Sequence, residues 1–368
     1  MRIVAVGRAL PKHYYDQDTL LAAFREVWGD HFHNPARLEQ IFSNVLVGGR
    51  HLALPLQRYR ALSSFTESNT AFIQCATELG ARALQDAAAI AHLKLDDLAQ
   101  LILVSSTGIA TPSVDAKLVN RLGLRTDIRR TPIFGLGCMG GAGGLSRLAD
   151  LLRANPTQAG ALLSVELCSL TLQRDDVSVA NLISSGLFGD GAACAVLVGP
   201  KHPMAARGDA GPEIVATRSS FYPDTEGVMG WDITAEGFKV VLSADVPKMV
   251  LEHVRRDVEA FLADHSLTLR DVVSHVYHPG GPRVLEAFQE ALGLPRRALQ
   301  LSYDSLLERG NLSSASVLLI LRDVLEGKGS WLVPDGTLRA NCRPAPGDYG
   351  LMLAMGPGFC TELLLLRW

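Results

Sequence analysis

A cysteine held among glycines constrains this chain more than any other feature. The stretch reads Gly135-Leu136-Gly137-Cys138-Met139-Gly140-Gly141-Ala142-Gly143-Gly144. Before it lies an apolar, strand-like run, Thr131 to Phe134. After it a helical pattern begins at Leu145, Leu148, Leu151 and Leu152. Strand, glycine turn, cysteine and helix in that order put the thiol at a helix N-terminus, where the helix dipole favours a thiolate. The absence of side chains on the glycines lets a substrate carbonyl and backbone N–H groups approach closely. The same stretch also suits a buried structural cysteine beside a glycine packing seam.

Length and composition narrow the class. At 368 residues the chain is too long for one small core, so two halves of similar size are expected. We place the halves at 1–205 and 206–368, with the Gly-, Pro- and Ala-rich stretch from Lys201 to Pro212 as junction. The net charge of −3, scattered without a basic stripe, argues against nucleic acid as a partner. No apolar run approaches the roughly 20 residues of a membrane span. The six cysteines show no C-x-x-C spacing, so neither a disulfide framework nor a zinc site is expected, and a reducing cytoplasm fits. His31 and His33 could in principle hold a metal, but they lack a nearby partner ligand in sequence.

Apolar strands alternate with helical patterns along the chain. Ser68-Asn69-Thr70 could cap a long alanine-rich helix running towards Ile90. Leu101 to Val104 and Ala161 to Val165 read as buried strands of a parallel sheet covered on both faces. The two halves rhyme. Cys138 and Asn311 each follow a glycine and open a small-residue helix that ends in an apolar run. An internal duplication would bring the two helix starts together and set Asn311 near Cys138.

His278 ends another strand, before Pro279-Gly280-Gly281. Loops after strand ends are where α/β proteins place their sites. An imidazole near the thiol would take its proton and hold a thiolate, making it alkylate well below the ~8.5 pKa of a free thiol. The imidazole and the Asn311 amide could also donate to one oxygen that becomes negative, as in an enolate or a tetrahedral intermediate. Alone, His278 suits a turn residue and Asn311 a helix cap. Arg50, Arg58 and Arg60 form a basic cluster, either a solvated face or a grip for a phosphate-bearing ligand.

Five motifs together resemble those of type III polyketide synthases, the chalcone-synthase-like branch of the thiolase superfamily. They are Gly137-Cys138-Met139-Gly140-Gly141, Val165-Glu166-Leu167-Cys168-Ser169-Leu170-Thr171, Leu187-Phe188-Gly189-Asp190-Gly191, His278-Pro279-Gly280-Gly281-Pro282 and Gly310-Asn311-Leu312-Ser313-Ser314-Ala315-Ser316. The resemblance implies an α/β protein with a duplicated thiolase fold in α/β/α/β/α layers, assembled as a homodimer. It implies an acyltransferase that uses acyl-CoA and malonyl-CoA and needs no metal or organic cofactor. Cys138 would carry the acyl chain, and His278 and Asn311 would assist loading and stabilise the enolate left when malonyl-CoA loses CO2. Phe188 matches a gate between the CoA tunnel and the cavity. Cys168, Thr171 and Ser313 would line the pocket, and Thr111 would reach into the partner's cavity. Arg50 and Arg283 would hold CoA.

Departures from the plant pattern shape the substrate expectation. The second gate phenylalanine falls nearest Val240, and the C-terminal loop reads Ala354-Met355-Gly356-Pro357-Gly358. These features resemble bacterial members, several of which take fatty acyl starters and release alkylpyrones or alkylresorcinols. An aliphatic starter is therefore expected, with release as a pyrone or phenol. The alternatives are a single-round condensing enzyme of the ketoacyl synthase III kind and an inactive partner subunit.

Overall fold

The computed structural model describes residues 1–28, 35–208, 210–333 and 336–368; His31 and His33 fall outside them. Among the described residues nine strands form one mixed sheet. They are β1 (Arg2–Ala9), β2 (Leu98–Val104), β3 (Arg129–Ile133), β4 (Ala159–Leu167), β5 (Asp190–Val198), β6 (Glu213–Phe221), β7 (Val272–Tyr277), β8 (Tyr349–Gly356) and β9 (Cys360–Arg367). Their order is β7-β8-β9-β6-β1-β5-β4-β2-β3. The middle is thinly joined, through the pair Arg2–Glu213.

Either side of that join the same pairing recurs. β1 runs antiparallel to β5, β5 antiparallel to β4, and β4 parallel to β2. In the second half β6 runs antiparallel to β9, β9 antiparallel to β8, and β8 parallel to β7. The rhyme between the two halves of the sequence is thus a repeat of strand topology.

Five helices complete the layers: α1 (Phe65–Ala91), α2 (Gly140–Ala154), α3 (Val246–Ala263), α4 (Pro282–Leu292) and α5 (Ser314–Leu325). Strand side chains alternate between two cores because successive residues point to opposite faces. Ile102 and Val104 of β2 face the central core of α2 and α5, while Leu101 and Leu103 face α1. In β8, Met352 and Ala354 face that same centre, and Leu351 and Leu353 face α3 and α4. The result is α/β/α/β/α, with α2 and α5 sandwiched in the middle. Helices on both faces explain why these strands read as unbroken apolar runs.

The start of α1 differs from the sequence expectation. Ser64, not Ser68 to Thr70, takes the cap, its side chain accepting from the Glu67 N–H. The Glu67 carboxylate accepts in return from the backbone and hydroxyl of Ser63. A serine followed three residues later by glutamate is the stronger start signal, because both side chains satisfy otherwise free N–H groups.

Candidate active site

Cys138 lies in a single 3-10 turn, Gly137–Met139, between β3 and α2. Gly137 adopts φ +50°, and a Cβ there would fall 2.5 Å from Pro357 Cδ. Only glycine brings the loop after β8 this close to the cysteine. Asn311 and Ser313 precede α5, the matching helix of the second half. Ser313 holds φ +46° and ψ −129°, a strained backbone for a residue with a side chain. That conformation sets its hydroxyl 3.6 Å from the Cys138 sulfur, which donates to it.

Asn311 is 1% exposed. Its Oδ1 accepts from the Ser313 N–H at 2.8 Å, so the amide orientation is fixed and the NH2 end remains for the sulfur. Burial pushes the Cys138 thiol up to about 12, opposed by side-chain hydrogen bonds from Ser313 and Asn311 that favour the thiolate. His278 follows β7, and its backbone N–H donates to the Leu353 carbonyl of β8 at 2.8 Å. Three residues further along β8, Gly356 packs on Met139. One strand therefore carries the histidine loop and the cysteine turn at points about 10 Å apart.

The imidazole is buried with neither ring nitrogen partnered. Burial lowers His278 to about 3. No hydrogen bond joins it to the thiol among the described residues, so the resting ion pair expected from the sequence is not what this conformation holds. Each group ionising alone is opposed by burial. Passing the thiol proton to the imidazole would leave a pair with no net charge, the ionised form such a site tolerates best.

Behind the cysteine, Glu166 is wholly buried and ties the halves together. It accepts from Ser106 N–H at 3.0 Å, from Thr107 Oγ1 at 2.9 Å, and from the Ser314 hydroxyl. Burial raises its pKa, and its hydrogen bonds oppose that rise.

Two cavities meet beside Cys138. The one holding the thiol measures about 390 Å³ and includes Ser106, Gly137, Ser313 and Pro357 in its wall. A larger one of about 750 Å³ runs under the helix Gln17–Trp28 and past Thr171. Cys168, Phe188, Trp231 and Val240 line both. Phe188 and Val240 thus both belong to the wall that the two cavities share. Neither His278 nor Asn311 lies in either wall.

The remaining expected residues part company. Thr171 caps back onto the Cys168 carbonyl at 2.8 Å. Thr111 is exposed and lines neither cavity of its own chain, and Arg283 is exposed at the start of α4. Arg50 is 2% exposed and gives its Nη1 to the Phe188 carbonyl at 2.7 Å, which corrects its reading as an open grip for CoA phosphates. Arg60 pairs with Glu26 at the surface. Sequence reasoning assigned no site role to Trp231. It sits in the two-stranded ribbon Met229–Thr234 and Gly237–Leu242 that roofs the smaller cavity. A lone tryptophan in a short ribbon between glycines was the available signal.

This geometry defines a protein of duplicated thiolase-like fold, with a buried cysteine at the seam of the two halves. The comparisons agree. Residues 1–202 match the family described as chalcone and stilbene synthases, N-terminal domain, and residues 213–368 its C-terminal domain. The chain is 45% identical to a 1,3,6,8-tetrahydroxynaphthalene synthase of Streptomyces peucetius subsp. caesius, covering 100% of this chain and 93% of that one. It is 34% identical to a putative chalcone synthase of Bacillus subtilis (strain 168), covering 100% and 98%. Among solved structures, the 1,3,6,8-tetrahydroxynaphthalene synthase of Streptomyces coelicolor A3(2), a bacterial type III polyketide synthase, superposes with a TM-score of 0.90 at 28% identity, covering 100% of this chain and 99% of that one. The chain belongs to the chalcone and stilbene synthase family. It is a type III polyketide synthase, an acyltransferase acting on CoA thioesters.

Proposed function

We propose that the protein extends an aliphatic acyl-CoA starter with malonyl-CoA and releases a pyrone or phenol. The supporting observation is the large, mostly apolar cavity that opens from the Cys138 chamber past Phe188 and Val240. Leu20, Ala23, Phe24 and Leu172 line it, and an alkyl chain buried against such walls gains about 0.8 kcal/mol per CH2.

In this reading Cys138 Sγ attacks the starter thioester carbonyl and passes its proton to His278. The C–S bond to CoA breaks and CoA leaves as the thiol, taking that proton. Malonyl-CoA then loses CO2, and the electron pair of the broken C–C bond becomes an enolate. Donors from His278 and the Asn311 NH2 meet the enolate oxygen. The enolate carbon attacks the Cys138 thioester, and the sulfur leaves. The lengthened chain returns to Cys138 for another round. The scheme uses the chain's own residues with CoA thioesters as substrates, and calls for no metal or organic cofactor.

We also propose a homodimer in a reducing cytoplasm, with Thr111 on a loop that reaches the partner. Ile109, Phe134 and Ile233 are exposed apolar residues, the last two in the wall of the Cys138 cavity, where a second copy would cover them. A second reading has malonyl-CoA as both starter and extender and a compact aromatic product. The 45% likeness to a tetrahydroxynaphthalene synthase over the whole chain favours it.

The deciding experiment supplies acyl-CoAs of graded length with malonyl-CoA and weighs the products. Products that retain the starter alkyl chain support the aliphatic reading. A single product mass, unchanged by the added acyl-CoA, supports the malonyl-only reading. One two-carbon addition without cyclisation would overturn both.

A further inference from the structure

We infer that Arg50 is a positioning residue, clamping the junction that joins the Phe188 wall to the Asn311 amide. The inference rests on the synthase reading above. It starts from a backbone arrangement. Phe188 and Asn311 form an isolated parallel β-bridge. The Asn311 N–H donates to the Leu187 carbonyl at 2.9 Å, and the Gly189 N–H donates to the Asn311 carbonyl at 3.0 Å. The wall between the cavities and the amide beside the thiol therefore move as one unit.

Arg50 comes to this junction from a third segment, the short strand Gly49–Leu52. Its stem packs between two glycines. A Cβ on Gly189 would lie 3.2 Å from Arg50 Cβ, and one on Gly310 would lie 3.4 Å from Arg50 Cδ. Its Nη1 donates to the Phe188 carbonyl. Arg50 also contributes to the wall of the larger cavity. A charged donor to a carbonyl is stronger and more directional than a neutral one. Asp190, two residues beyond Phe188, supplies the countercharge, and its carboxylate is held by the N–H groups of Ala53 and Ser169. Burial draws the guanidinium down to about 10, so it stays charged at neutral pH. A lysine would carry the charge but lack the planar fork.

A clamp and a phosphate grip differ in what their loss does. Loss of a grip raises KM and leaves kcat, whereas a misplaced amide lowers kcat. The test compares Arg50→Met and Arg50→Lys with the wild type. For Arg50→Met we expect kcat for extension to fall about 10²-fold, as for a displaced catalytic group, with the starter KM little changed. Intact-protein mass should show Cys138 still acylated, and Arg50→Lys should fall between.

Hydrogen exchange supplies a readout independent of substrate. The Gly189 and Asn311 amides should lose protection in both variants. Unchanged protection at both amides would overturn the clamp, as would a raised KM with kcat intact. If Arg50→Met does not fold, exchange in Arg50→Lys decides: faster exchange confined to these amides supports the clamp, and wild-type protection ends it. A wild type that made no polyketide, with the exchange result as expected, would count against the synthase reading and leave the clamp standing.

Discussion

Gly141 and Ser314 meet backbone to backbone at the centre of the molecule. A Cβ on Gly141 would lie 2.2 Å from the Ser314 carbonyl oxygen. The contact joins the first turns of α2 and α5, the two helices that open beside the thiol and the amide. Ser314 also donates to Glu166, and its hydroxyl lies 2.7 Å from that of Ser164. The glycines after the cysteine therefore serve a second purpose beyond substrate access. They let two helices from different halves approach until their N-termini share one site.

Gly141→Ala tests that contact. A backbone carbonyl cannot swing aside as a side chain can, so the helices must part. Overpacking of this kind costs about 1–3 kcal/mol, and the parting should carry Asn311 away from the sulfur. Thermal unfolding should show the loss of stability, and extension should fall more than starter loading. A variant with wild-type melting and wild-type product formation would show that the seam has slack.

Asn311→Ala separates the two halves of the reaction. Its amide is oriented by the Ser313 N–H, and its side chain hydrogen-bonds the Cys138 sulfur. We expect malonyl-CoA decarboxylation to fall about 10²–10³-fold, the usual effect of removing an oxyanion donor. Starter loading, followed by intact-protein mass, should fall far less. Radiolabelled malonyl-CoA reports the first step directly, and equal losses in both would count against the enolate role. Cys138→Ala is the control, which should hold no starter at all.

Much of this was legible in the sequence, for physical reasons. The duplicated fold showed because both helix starts needed the same glycine-led, small-residue pattern, and both half-sheets needed unbroken apolar strands. Asn311 came to Cys138 because topology repeats, and that repeat is visible in sequence. Arg50 misled because charge type says nothing of burial. A basic cluster after two glycines reads as an exposed grip, yet one of its members lies under Phe188. Trp231 was missed because the ribbon folds over the cavity through long-range contacts that no local pattern encodes. The state of Cys138 was also not legible. Helix position argued for a thiolate, while desolvation, which depends on the whole fold, argues the other way.

Trp231→Ala should change what the enzyme makes more than how fast it makes it. The indole stands where the two cavities join, together with Phe188, Cys168 and Val240. Removing it should merge the spaces, lengthen the accepted starter and add extension rounds. Mass spectrometry of products from a series of acyl-CoAs would report the shift. An unchanged product profile would place the limit on chain length elsewhere, at Phe188 or in the helix Gln17–Trp28.

The protonation of His278 can be read by two measurements on His278→Gln. Iodoacetamide should modify Cys138 at neutral pH at least about tenfold faster in the wild type, because the imidazole is the proton acceptor that opposes the burial of the thiolate. Similar rates in the two proteins would show that it does not serve. The second measurement is stability against pH. The folded pKa of about 3 lies below the 6.5 of an unfolded histidine. Below pH 6.5 the unfolded chain therefore takes up a proton that the folded chain refuses, and stability is lost as pH falls from 6.5 towards 3. Each pH unit in that window is worth about 1.4 kcal/mol. Glutamine has no such proton, and all other groups are common to both proteins, so the difference between them isolates His278. Between pH 6.5 and 5 the wild type should lose about 2 kcal/mol relative to the variant, measured by urea unfolding. If the two proteins keep a constant gap across that range, the folded imidazole takes up its proton as readily as the unfolded one, and burial does not hold it neutral.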